Sequence, residues 1–210
     1  IDRVLLLVGD TSNFGINQND SATAMIFGDG GTATALERTE GKSLKYFLKT
    51  KGSGFKYIIV PAGHARSRSK TNLEGSEYEL AMNGPDVFTF SITDVPRTLK
   101  SFMSQYNIDK DDVDMYVFHQ ANLFILKHLS KKLGIPMEKV AVSIDRYGNT
   151  SGESIPLTLV DALGNEESKE PIKLLLCGFG VGLSWGGIYL EMDRSVCLPM
   201  IYTNDYFTGG

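Results

Sequence analysis

The sequence predicts an α/β fold, a β-sheet with helices on its faces, on three observations. Short apolar runs bounded by Gly, Asn and Asp fill the first third of the chain. From about residue 86 onward, helix-spaced and strand-like segments alternate. The helical stretches end on stop signals such as Gly134 and Pro136.

Taken in order, the apolar runs place strands near 4–8, 22–27, 32–37, 44–48 and 57–60. Residues 62–85 are polar and carry Arg66, Arg68, Lys70 and Asn72, which suits a long surface loop that shapes an entrance. Val87, Phe88, Phe90, Ile92, Val95, Leu99, Phe102 and Met103 then recur at largely helical spacing. Met115 to Phe118 reads as a strand, 122–133 as a helix, 140–144 as a short strand and 154–163 as a helix. Strands at 173–177 and 183–192 complete the set. In such a fold ligands gather at the carboxyl ends of strands, and His119 lies at one.

Composition bounds the function. With 210 residues and 42% hydrophobic content the chain can bury a sizeable core. A net charge of -4 and a pI near 5.4 argue against nonspecific binding to nucleic acid or to an acidic membrane surface. Two cysteines, Cys177 and Cys197, make neither a disulfide framework nor a metal site, and a reducing cytoplasmic compartment is the simpler reading. The start, Ile1 to Gly9, lacks an initiator Met and a cationic signal region, and reads as a strand entered midway through a longer protein. The uncharged run 174–190 is too short and too rich in glycine for a membrane span, and reads as two strands around a Gly-rich turn.

His119, in Phe118-His119-Gln120-Ala121-Asn122, and Asn149, in Gly148-Asn149-Thr150-Ser151, carry the most chemical information. A lone histidine at a strand end is more often structural, and a lone Asn is often a turn or cap residue. The pairing at two loop-to-helix junctions reverses that balance. A neutral imidazole and a neutral carboxamide together supply two hydrogen-bond donors for an oxygen that becomes negative.

Other motifs fall away. Gly28-Asp29-Gly30-Gly31-Thr32-Ala33 matches a relaxed dinucleotide fingerprint, but no helix pattern follows, so a tight strand-to-strand turn is the better reading. Gly182-Leu183-Ser184-Trp185-Gly186 matches a nucleophile elbow, yet residues 188–192 alternate like a strand and no histidine follows His128. Cys177 sits in an apolar strand with no basic neighbour to activate it, and Cys197 shows no activating pattern either. Gly180, Val181 and Gly182 form a Gly-rich turn whose backbone N–H groups are candidate oxyanion donors, with tight packing as the alternative. Lys127, His128, Lys131 and Lys132 ride the helix after His119 and offer a basic face that could guide an acidic carrier. His64 has no partner pattern.

Together these stretches resemble the β-ketoacyl-acyl-carrier-protein synthase III family of thiolase-fold condensing enzymes. The resemblance rests on Phe27-Gly28-Asp29-Gly30, Asn83-Gly84 with Val87-Phe88, His119-Gln120-Ala121-Asn122-Leu123, Asp145 to Ser151, Ser154-Ile155-Pro156, and Gly178-Phe179-Gly180 with Trp185-Gly186, in that order over residues 1–193. It implies a thiolase-like half with a mixed β-sheet. Residues 1–50 would be the terminal strands of an N-terminal half, 51–193 a C-terminal condensing-enzyme half, and 194–210 an extension. The implied reaction is a decarboxylative Claisen condensation of an acyl thioester with malonyl-acyl-carrier protein. His119 and Asn149 would be catalytic, and Phe88, Asn122, Gly180, Val181 and Gly182 would bind substrate. Lys127, Lys131 and Lys132 would dock the carrier. Acyl-carrier protein and acyl-CoA or another acyl thioester are the implied partners, in a cytoplasmic homodimer without metal or cofactor.

The sequence also departs from that family. No residue matches the nucleophilic cysteine of the N-terminal half, so the chain alone is expected to be inactive. Phe124 stands where familiar members carry an arginine for carrier docking, Ser21 where they hold an arginine near the coenzyme A nucleotide, and Val181 where they hold glycine. A noncatalytic module that holds acyl carriers or a partner on the same fold is the alternative.

Overall fold

A four-stranded mixed sheet of residues 45–50, 184–193, 171–180 and 115–118, in that spatial order, organises the chain in the computed structural model, which describes residues 1–20, 23–40, 44–63, 75–168 and 170–202. The strands are β1 (Arg3–Asp10), β2 (Gly30–Glu37), β3 (Lys45–Thr50), β4 (Ile58–Ile59), β5 (Ala81–Met82), β6 (Met115–Phe118), β7 (Pro171–Gly180) and β8 (Ser184–Asp193). The helices are α1 (Gly84–Gln105), α2 (Leu123–Leu133), α3 (Ile144–Tyr147) and α4 (Ser154–Leu163). β6 runs parallel to β7, from Met115 opposite Leu174 to Phe118 opposite Cys177, and the other pairs in the sheet are antiparallel. β1 pairs antiparallel with β2 and β4 with β5 as separate two-stranded units. The α/β class is therefore met, and the apolar run 174–190 is the β7–β8 hairpin. No described helix is long and apolar enough to cross a membrane.

Local chemistry sets the helix limits. Asn83 caps α1 by accepting from the backbone N–H of Asp86 at 3.2 Å, and Pro85 sits in the first turn where its missing N–H costs nothing. Phe90, Val95, Leu99 and Phe102 form its buried stripe, and each fully buried side chain of this size stabilises the fold by roughly 1.5–3 kcal/mol. Asn122 caps α2 through Oδ1, which accepts from Ile125 N–H at 2.8 Å. Gly134 ends that helix with φ +68, a left-handed conformation that glycine adopts without strain. α1, α2 and β6 meet in one core that includes Val95, Leu99, Tyr116, Phe118, Leu126 and Leu129.

Two expected strands are absent, each for a visible reason. Residues 23–26 form turns, and only Phe27 pairs, in a single parallel bridge to Asn149. Because β2 starts at Gly30, residues 28–31 do not join two strands as a tight turn. At 140–144 only Val140 bridges, to Tyr116, before the chain turns into α3. Much of the expected surface loop, including Arg66, Arg68, Lys70 and Asn72, lies outside the described residues, as do His64 and Ser21.

Candidate active site

His119 directly follows the last residue of β6 and is held there from both sides. Its backbone N–H donates to Cys177 O at 2.9 Å on β7. Its ring stands edge-on to Phe179 with centroids 5.3 Å apart, and Nδ1 lies 2.7 Å from Ser154 Oγ at the start of α4. Burial pushes the imidazole down from 6.5 to about 4, because the apolar surroundings disfavour the charged ring. It is neutral at pH 7.

Asn149 is buried and belongs to the loop between α3 and α4. Its backbone N–H donates to Ile26 O at 2.8 Å, and its carbonyl accepts from Gly28 N–H at 3.0 Å. Glycine is required at position 28: a Cβ there would meet Tyr147 O at 1.9 Å. The Asn149 side chain accepts through Oδ1 from Ser151 N–H at 3.0 Å, which fixes the flip of the carboxamide and leaves its NH2 to donate elsewhere.

Gln120 ties the two loops together. Fully buried, its Nε2 donates to Phe118 O at 2.8 Å and Ala141 O at 3.3 Å. Its Oε1 accepts from the N–H groups of Ser143 at 3.0 Å and Ile144 at 3.2 Å, the entry to α3. One carboxamide therefore fixes the segment that presents His119 against the helix that leads to Asn149.

His119, Asn149, Phe88, Asn122, Gly180 and Val181 all line one cavity of about 690 Å³. Its walls include Ile58, Leu80, Val87 and Ile125, so the polar donors project into a mostly apolar space. A Cβ at Gly180 would meet nothing within 4 Å, which leaves its backbone open to approach. Gly182 does not line the cavity. Its φ of +132 and the 2.4 Å separation between a Cβ there and Ser184 Oγ make it the residue that permits the β7–β8 turn. Lys127, Lys131 and Lys132 are exposed on α2 and lie outside the cavity wall. At its rim Phe124 stacks on Phe88 with centroids 5.4 Å apart, and His128 stands edge-on to both rings.

Neither cysteine nor Ser184 is placed as a reactive nucleophile. Cys177 is fully buried and burial pushes its thiol far up, while burial also raises Cys197. Ser184 opens a strand rather than a helix, and its Oγ lies 3.4 Å from Thr50 Oγ1, not beside a histidine. No metal-binding cluster occurs among the described residues.

Sequence reasoning missed two residues beside the site. Ser154 stands out in the sequence only as part of the Ser154-Ile155-Pro156 stretch, although a hydroxyl at the start of a helix can reach a neighbouring loop. Glu153 is fully buried with neither oxygen hydrogen-bonded. Burial pushes its carboxyl up, and the negative charges of Asp10 and Asp29 add to the shift. Nothing in its sequence neighbourhood signals that environment.

The 3-oxoacyl-[acyl-carrier-protein] synthase III C-terminal family model matches residues 103–192, and the 3-oxoacyl-[acyl-carrier-protein] synthase III model matches residues 1–52. Among curated proteins, the β-ketoacyl-[acyl-carrier-protein] synthase III of Clostridioides difficile is 37% identical over 186 residues, 88% of this chain and 57% of its own length. A crystal structure of a 3-oxoacyl-(acyl-carrier protein) synthase from Burkholderia xenovorans superposes with a TM-score of 0.86 at 38% identity. It covers 96% of this chain and 59% of that one. The priming β-ketosynthase of the R1128 polyketide biosynthetic pathway superposes with a TM-score of 0.79 at 26% identity, over 94% of this chain and 57% of that one. The chain thus spans less than two thirds of the length of each of these relatives.

Proposed function

The chain belongs to the 3-oxoacyl-[acyl-carrier-protein] synthase III family, and from that premise we propose that its cavity supports decarboxylation of a malonyl thioester in a decarboxylative Claisen condensation. The observation that carries the proposal is the pair of neutral donors on one apolar cavity, with the other polar atom of each side chain already engaged by Ser154 or by Ser151.

When the malonyl C–C bond breaks and CO2 leaves, the electron pair moves onto the thioester carbonyl as an enolate. His119 and Asn149 donate to that oxygen as its charge grows. Such donors, fixed before the reaction, need no reorganisation in the transition state. Their neutrality matters, because a cation would also clamp the malonyl carboxylate and stabilise the ground state. The enolate carbon then attacks an acyl thioester carried by an enzyme cysteine, a C–C bond forms, and the cysteine thiolate leaves. Cys177 and Cys197 do not suit that task, so we assign the nucleophile to a residue outside this sequence.

Phe88, Asn122, Gly180 and Val181 border the space we assign to the thioester arm of an acyl-CoA or carrier-borne substrate. We assign carrier docking to the exposed Lys127, Lys131 and Lys132, a local basic face on a chain of net charge -4. The two free thiols fit a reducing, cytoplasmic setting. Exposed Leu5 and Leu7 on β1 fit a covering partner such as a second subunit.

The test is release of CO2 from malonyl-acyl-carrier protein. His119→Ala and Asn149→Asp in the full-length enzyme are expected to abolish decarboxylation while acyl loading continues, and decarboxylation at the wild-type rate in either variant would overturn the assignment.

A further inference from the structure

We infer that Ser154 is a positioning residue that holds His119 in the tautomer with its single proton on Nε2, an inference about the site whose activity is proposed above. Ser154 is buried at the first position of α4, and its Oγ lies 2.7 Å from His119 Nδ1. Either atom could supply the hydrogen, and the surroundings decide which one does. His119 is the one hydrogen-bond partner recorded for the Ser154 hydroxyl among the described residues. If Nδ1–H donated, the hydroxyl's own hydrogen would be left buried without an acceptor. If the hydroxyl donates, only a lone pair goes unfilled, which costs less. Ser154 therefore donates, Nδ1 is the acceptor, and the proton of the neutral ring sits on Nε2.

The hydroxyl is itself held in register. Thr158 Oγ1 donates to Ser154 O at 2.6 Å, so its hydrogen is spent. Ser143 Oγ, 2.7 Å away, must then donate to Thr158 Oγ1. Ser143 N–H in turn reaches Gln120 Oε1 at 3.0 Å, and Gln120 is the residue after His119. A closed circuit of His119, Ser154, Thr158, Ser143 and Gln120 thus fixes the imidazole against α4. Because Nδ1 is engaged and His119 lines the cavity, Nε2–H is the donor left for a ligand oxygen.

Nitrogen-15 NMR of the histidine-labelled protein at neutral pH tests the tautomer without reference to activity. Expected for wild type is a bare, acceptor-type Nδ1 and a protonated Nε2 for His119. Ser154→Ala should shift the Nδ1 resonance as its donor is lost and move the titration of the ring to higher pH, because a hydrogen bond to the neutral form disappears. Ser154→Thr, which keeps the hydroxyl, should restore both. In the decarboxylation assay Ser154→Ala should lower kcat by about tenfold to a hundredfold with little change in KM, and Ser154→Thr should recover most of the loss. A proton on Nδ1 in the wild type overturns the inference, as does a Ser154→Ala variant with unchanged resonances or unchanged kcat. Normal decarboxylation by His119→Ala, with the expected NMR signature, overturns the functional reading instead and leaves the tautomer assigned.

Discussion

Replacing Gln120 with leucine tests the joint between the two loops, and its cost follows from the hydrogen bonds it removes. Leucine fills a similar volume, so packing is largely kept. Four bonds vanish, at 2.8, 3.3, 3.0 and 3.2 Å. The N–H groups of Ser143 and Ile144 lose the acceptor recorded for them, at a site where Gln120 is fully buried. Each buried donor left unpaired costs about 1–3 kcal/mol. Allowing for some relaxation, the loss should come to about 3–5 kcal/mol, a large share of the roughly 5–15 kcal/mol that holds a domain folded. Urea unfolding followed by circular dichroism measures it. With a slope of about 2 kcal/mol per molar, the midpoint should fall by about 1.5–2.5 M. Lys127→Ala, an exposed control on α2, should stay within about 0.5 kcal/mol. A Gln120→Leu loss below about 1 kcal/mol would show that the amide is not the joint described here.

The remaining predictions concern the Asn149 loop and the His119 ring. Gly28→Ala should destabilise by about 2–4 kcal/mol and lower activity with it, because the new Cβ would lie 1.9 Å from Tyr147 O and must displace the strand-like contact that holds Asn149; an unchanged thermal midpoint would refute this. Stability should also depend on pH through His119, whose pKa is about 4 folded against 6.5 unfolded. The unfolded chain binds the proton first, so stability is full above pH 6.5 and declines as pH falls toward 4, by up to about 3 kcal/mol. Denaturant titrations across that window should show the slope, and His119→Ala should flatten it.

Local signals carried much of this structure. The alternation from residue 86, the Gly134 stop and the four-residue strand before His119 all follow from nearest-neighbour chemistry, and each stands where the sequence placed it. The errors arose where a segment's partner is distant. Ala24-Met25-Ile26-Phe27 has the composition of a strand, but Ile26 O and Gly28 N–H are spent on Asn149, so no ladder grows. Residues 140–144 are likewise apolar enough for a strand, until Gln120 Oε1 accepts the N–H groups of Ser143 and Ile144 and turns the chain into α3.

By itself the sequence determined most of the elements, the placement of His119 at the end of a strand, and the suspicion that Asn149 works with it. Only the tertiary structure decided that both face one cavity, that Ser151 leaves the Asn149 amide free to donate, and that Ser154 reaches the imidazole. Periodicity and capping act within a few residues of the chain. Convergence of groups 30 and 35 positions apart depends on parallel register and buried hydrogen bonds between segments, and no short stretch of sequence encodes those.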